Sequence, residues 1–269
     1  ADDSALFAGP SGNLRELVRE GDFVPGDTAR FGDFAHPFSG PDPRPAFNDL
    51  GQAAFRIDLT DAPTGADVGI YRASEDEVVE IVRAGAVTED GGIVRSFDDP
   101  IINDRGLVAF RGRVEVDVEI SPEGPAPILA DAIFISDGES LQEVVRTGDV
   151  INGSTVSTIS FNNNPIGPAN GLSDLGIVAY QVSYDSGLSG IAYSTPRGQW
   201  RREDGGWDEP DNWFMGRLPT SAHDVVLSGS TDIDIAGPEN DVGVASLQIG
   251  STSGTATATL ALGSGDIAT

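Results

Sequence analysis

Apolar and polar residues alternate with a period of two in three separate places along the chain. In the longest run, Val108, Phe110, Val114, Val116, Val118 and Ile120 share one parity, while Arg113, Glu115, Asp117 and Glu119 take the other. That is the pattern of a strand with one buried face. Ala53, Phe55, Ile57 and Leu59 against Arg56 and Asp58 repeat it, as do Val178, Tyr180, Val182 and Tyr184. Each run is entered through the same motif, (N/S)DxGxxA(F/Y). Its copies are Asn48, Asp49, Gly51, Ala54 and Phe55; Asn103, Asp104, Gly106, Ala109 and Phe110; and Ser173, Asp174, Gly176, Ala179 and Tyr180. Asn and Asp side chains bond the backbone that follows them and glycine accepts a positive φ, so each copy predicts a tight turn leading into a strand.

A second segment recurs ahead of each motif: residues 14–22 (LRELVREGD), 78–86 (VVEIVRAGA) and 141–149 (LQEVVRTGD). The second of these lacks the aspartate that follows the glycine in the other two. Upstream of each lies a short apolar run, at Ala5-Leu6-Phe7, Gly69-Ile70-Tyr71 and Ala132-Ile133-Phe134, and a fourth copy begins at Gly190-Ile191-Ala192-Tyr193. Gly21, Gly85 and Gly148 stand 64 and 63 residues apart, and self-similarity at such a period marks a tandem-repeat architecture. The VVR-type segments read two ways. Asn13 with Glu16, Ser74 with Glu77 and Ser140 with Glu143 fit capping boxes ahead of a closing glycine. Their Val and Ile content, and the Asp137-Gly138 turn, favour strands. Taken as strands, each unit holds four: the VAF strand, the IY or IF strand, the VVR strand and a looser one through Phe34, Phe97 or Phe161. Four antiparallel strands per repeat make up a propeller blade.

The predicted fold is therefore all-β. Tandem four-stranded propeller-like repeats, three plus a fragment, occupy residues 1–194 in units of about 4–65, 66–128 and 129–194. A propeller closes with at least four blades, so this array is expected to leave strand edges for another segment or another chain to cover. The second domain, 195–269, opens with all three tryptophans, Trp200, Trp207 and Trp213. Short runs of small and branched residues follow, at Val225-Val226-Leu227, Ile233 with Ile235, 244–249 and 255–262. Such runs suit the coils of a small β-solenoid or sandwich-like domain, and cut at Thr269 it is expected to present an open end.

Composition narrows the function. The chain has 269 residues, 43 acidic and 16 basic, a net charge of −27, and every basic residue is arginine. Nucleic acid is excluded as an expected partner, because phosphate binding needs a basic face. No apolar stretch is long enough to span a bilayer. The absence of cysteine removes disulfides and thiolate chemistry. With only His36 and His223 there is little material for histidine catalysis, and GxSxG, HExxH and glycine-rich phosphate loops are missing. Paired carboxylates could hydrolyse glycosides, but so many acids supply a pair anywhere. No catalytic residue and no firm cofactor are assigned.

The repeats resemble the NxxGxxAF tandem-repeat proteins, bacterial secreted or surface proteins, over residues 4–194; Ser173 for Asn is the departure. That resemblance implies an exported protein, extracellular or at the cell surface, with its signal already removed, and brings no catalytic residues. Trp207, Asn212, Trp213, Gly216, Pro219, Asp224 and Val225 resemble the lead-in module that precedes β-helical repeats in autotransporter-like surface proteins. The expected function is a non-enzymatic structural or adhesive repeat protein that self-associates, as homo-oligomer or polymer, into a surface assembly or filament. One alternative is a protein that binds or degrades surface polysaccharide, with Trp200, Trp207 and Trp213 as a stacking platform rather than a plug over the first coil. Another is a calcium-dependent adhesin, with Asp208 and Asp211, or Asp232 and Asp234, as weak ligand candidates. Asn152-Gly153-Ser154 is an N-glycosylation sequon, and 252–259 offers hydroxyls for O-glycans.

Overall fold

The computed structural model describes residues 4–9, 11–34, 44–121, 124–164, 170–228, 231–250, 256–262 and 264–269. The chain is all-β and divides into two compact units, Ala1–Ser194 and Thr195–Thr269.

The first unit is a series of antiparallel sheets, here A to D. Sheet A pairs β1 (Ala5–Ala8) with β2 (Arg15–Arg19). Sheet B takes β3 (Arg30–Phe31), β4 (Ala46–Phe47), β5 (Ala53–Thr60), β6 (Val68–Ala73) and β7 (Val78–Arg83), with order β3-β5-β6-β7 and β4 against β5. Sheet C repeats the plan with β8 (Ile93–Phe97), β9 (Ile101–Ile102), β10 (Val108–Ser121), β11 (Gly124–Ser136) and β12 (Leu141–Arg146), in the order β8-β10-β11-β12 with β9 against β10. Sheet D has β13 (Val150–Ile151), β14 (Ser154–Phe161), β15 (Val178–Tyr184) and β16 (Ser189–Ser194) in sequential order.

The VVR-type segments are strands β2, β7 and β12. At 74–77 the Ser-x-x-Glu signal closes the β6–β7 hairpin instead of capping a helix: the Ser74 hydroxyl accepts the Glu77 N–H at 3.2 Å while the Ser74 N–H donates to the Glu77 carbonyl. Two other expectations change. The loose strand of the first repeat is Arg30–Phe31, ending short of Phe34. β10 carries a bulge between Glu115 and Asp117, and Val116 within it is 40% exposed where Val108, Phe110 and Val114 are buried. Sheets B and C also straddle two of the units as cut from the sequence, because the hairpin from one apolar run to the next VVR strand completes a sheet begun in the preceding stretch.

The sheets pack face on face. Neighbouring residues on a strand point to opposite sides, and in β6 both Ile70 and Tyr71 are fully buried. Tyr71 joins Leu6, Val18, Phe31 and Phe55 in the core between A and B, whereas Ile70 joins Phe97, Phe110 and Phe134 between B and C. Sheets buried on both faces read as continuous apolar runs such as GIY and AIF.

The second unit pairs its strands in parallel. In chain order they are β17 (Gly198–Gln199), β18 (Asp204–Gly206), β19 (Asp224–Leu227), β20 (Ile233–Ala236), β21 (Val242–Gly243), β22 (Ser246–Ile249), β23 (Ala258–Ala261) and β24 (Ile267–Ala268). They stack as β17-β19-β22, β18-β20-β23 and β21-β24. The chain thus returns to the same place coil after coil, around a core of Trp200, Trp207, Trp213, Val225, Leu227, Ile233 and Ile235.

Candidate functional site

The motif residues form rows that run from sheet to sheet. Asn48, Asn103 and Ser173 each end a short antiparallel lead-in and start the turn, and Gly51, Gly106 and Gly176 take φ of 76°, 76° and 77°. The Asn103 Oδ1 accepts the N–H groups of Arg105 and Leu107 at 3.0 and 2.9 Å; Asn48 does the same for Leu50 and Gln52. This is the turn chemistry the sequence predicts, and the opposite end of each amide does something else. Asn48 Nδ2 donates to the Asn103 carbonyl at 2.9 Å, and Asn103 Nδ2 donates to the Ser173 carbonyl at 2.8 Å. The aspartates repeat the step: the Asp49 N–H donates to Asp104 Oδ1 at 2.8 Å and the Asp104 N–H to Asp174 Oδ1 at 3.2 Å. The three turns are stitched into one ladder. Ser173 keeps the acceptor, taking the Ile177 N–H at 3.0 Å, and has no amide to pass on.

A second ladder was not apparent in the sequence. Arg83 at the end of β7 pairs with Asp27, and Arg146 at the end of β12 with Asp90, each acid lying 56 residues before its arginine. Asp27 and Asp90 sit four residues before Phe31 and Val94, whose carbonyls accept the N–H groups of Gly21 and Gly85. The same count back from Val156, the partner of Gly148, reaches Asn152. The signal is the arginine common to LVR, IVR and VVR; its partner is not legible locally because it lies in the loop of the preceding sheet, 56 residues away.

Hydrogen bonds from Arg83 first, then from its own loop, hold the Asp27 carboxyl below the usual range. Thr88 and then Arg146 do so for Asp90. Glu143 behaves oppositely. Burial pushes it up to about 7, although Arg146 lies 2.8 Å away. Lowered carboxyls contribute stability above their unfolded values that is lost on acidification, whereas a raised one contributes stability below its unfolded value that is lost as pH rises through about 7. Thermal melts should therefore show the antiparallel unit gaining stability from pH 8 to 5 and losing it below pH 4. Glu143→Gln should flatten the first limb and spare the second; an unchanged rise toward pH 5 would contradict the assignment.

In the second unit, aspartates again reach the neighbouring coil. Asp208 Oδ2 accepts the Glu239 N–H at 2.7 Å, Asp232 Oδ1 the Thr257 N–H at 2.7 Å, and Asp241 Oδ1 the Asp266 N–H at 3.1 Å. Two of the four calcium candidates thus hold the next coil, while Asp211 and Asp234 are exposed. Among the described residues no three His, Cys, Asp or Glu side chains gather in a group that could hold a metal.

Trp200, Trp207 and Trp213 are all buried. Trp213 meets Trp200 and Trp207 edge to face at 5.2 and 4.7 Å, and its Nε1 donates to the Trp207 carbonyl at 2.7 Å. Their rings fill the centre of the coils and offer no open face on which a sugar could stack. Asn212 Nδ2 holds the surrounding turn through the Gly206 carbonyl and Glu209. His223 is buried, faced by the Thr220 N–H and the Arg217 guanidinium. Burial first, then Arg217, lowers its pKa, which fits a packing role. Asn152 stands exposed in the β13–β14 hairpin with φ 51°. His36 and part of the hydroxyl-rich 252–259 stretch lie outside the described residues.

Fold and ladders together define an all-β tandem-repeat protein whose most regular polar side chains are used between repeats. Residues 1–196 match the model of a family of unknown function, DUF7453, and the chain belongs to that family. No curated protein and no solved structure matches it.

Proposed function

We propose that the chain is a non-enzymatic structural or adhesive protein acting outside the cell, built of propeller-like blades followed by β-solenoid coils. Its copies associate into a larger assembly. One observation carries this reading: the side chains that recur in register, Asn48, Asp104, Arg83 and their equivalents, spend their bonding capacity on neighbouring repeats, while the last sheet of the series ends in an edge strand with exposed apolar side chains. A chain organised to stack its own sheets, and left with one bare, is organised for assembly. The location outside the cell rests on the resemblance to secreted repeat proteins. Light scattering across a concentration series, with negative-stain images, tests the proposal. Particles should grow in steps of the 28.0 kDa chain; a compact monomer at every concentration would overturn it.

A further inference from the structure

Which surface meets which can be read from strand register. In sheets A, B and C the GIY-type run pairs the same way: Leu6 with Val18, Ile70 with Val82 and Ile133 with Val145, then, across a bulge at the same place, Phe7 with Glu16, Tyr71 with Glu80 and Phe134 with Glu143. On the other edge Ile70 faces Arg56, Ile133 faces Arg111 and Ile191 faces Gln181. Ile191 is thus the equivalent of Ile70 and Ile133, and Phe7 of Tyr71 and Phe134. The packing rule between sheets is constant: the aliphatic residue of one sheet shares a core with the aromatic residue of the next, Leu6 with Tyr71 and Ile70 with Phe134. The two ends of the series leave the halves of this contact bare. Ile191 and Ile70 are 87% and 0% exposed at equivalent positions; Phe7 is 46% exposed where Tyr71 and Phe134 are buried.

We infer that sheet D of one copy docks against sheet A of a second copy, Ile191 and Tyr193 meeting Phe7, in a head-to-tail contact that continues the stacking inside the chain. The inference rests on the self-association reading above. Continuity with the stacking inside the chain selects a second copy as the occupant. All strands of sheet D lack charged residues in a chain with net charge −27, so this face adds nothing to the repulsion between equally charged copies.

A contact between two different faces is heterologous and propagates, which gives a test that also separates it from other modes. The double variant Ile191→Lys/Tyr193→Lys carries a spoiled tail, and Phe7→Lys a spoiled head; both are followed by sedimentation velocity, with circular dichroism confirming the fold. Wild type should form a concentration-dependent series, each variant alone should associate at least ~10-fold more weakly, equivalent to about 1.4 kcal/mol, and an equimolar mixture should restore dimers and nothing larger. Wild-type assembly unchanged by Ile191→Lys/Tyr193→Lys would overturn the inference and leave self-association standing through another surface. Assembly lost in the tail variant but kept in Phe7→Lys would replace head-to-tail docking by pairing of two D sheets. A wild type that stays monomeric sinks the parent reading itself.

Discussion

Asn103→Ala should lower the stability of the antiparallel unit by about 2–4 kcal/mol, a fall of roughly 5–15 °C in its melting temperature for a unit of this size. Asn103 is 5% exposed, and its amide satisfies three backbone groups at once: the N–H groups of Arg105 and Leu107 within its turn and the carbonyl of Ser173 in the next sheet. Truncation strands those groups in a buried setting, where each unpaired one costs on the order of 1–3 kcal/mol. Two further substitutions separate the roles. Asn103→Ser keeps an acceptor for the turn, as Ser173 does naturally, and should cost only about 1 kcal/mol for the lost donor. Asn103→Asp keeps the turn acceptors and sets a carboxylate against the Ser173 carbonyl, so it should be worse than serine at pH 7 and recover on acidification. Equal losses for Asn103→Ala and Asn103→Ser in urea melts would mean that the link between sheets, and not the turn, carries the whole effect.

The second large effect belongs to Trp213. Trp213→Ala should cost about 3–5 kcal/mol, since it empties the centre of a ring cluster and removes the donor to the Trp207 carbonyl. At about 0.05–0.15 kcal/mol per residue, that is a large share of what holds the second unit, Thr195–Thr269. The readout is clean because every tryptophan lies in this unit and every tyrosine in the first. Tryptophan emission should shift to the red and its transition should fall to lower denaturant, while the tyrosine-monitored transition stays in place. Trp213→Phe, which keeps much of the volume but loses the N–H, should fall between. If Trp213→Ala left the tryptophan transition unmoved, the rings would not be the plug of the coils.

Several features of the chain were open to reading before any coordinates. Alternation in 53–59 and 178–184 gives strands because a strand with one covered face must alternate. Asn-Asp-x-Gly gives turns because only glycine takes φ near 76° without strain. The VVR segments read as strands from their Val and Ile content even though Ser-x-x-Glu also fits a helix cap, and they pair as strands with β6 and β11. At Val116 the alternation does not foretell the exposure, because a bulge depends on the partner strand rather than on the residue itself. The tryptophans gave a site that fitted either a plug or a platform, and burial, a property of the whole core, chose between them.

By itself the sequence determined the local shapes: strands from period two, turns from Asn, Asp and Gly, and a repeat from spacing, all set by neighbours a few residues apart. Only the tertiary structure decided which repeat each polar side chain serves. Asn48 reaches Asn103, Arg83 reaches Asp27 and Asp232 reaches Thr257, because stacking brings together positions whose separation along the chain varies with the loops between them. The same stacking buries Ile70 and leaves Ile191 bare, a difference that no local pattern records, since both stand in the same Gly-Ile run and only one has a sheet in front of it.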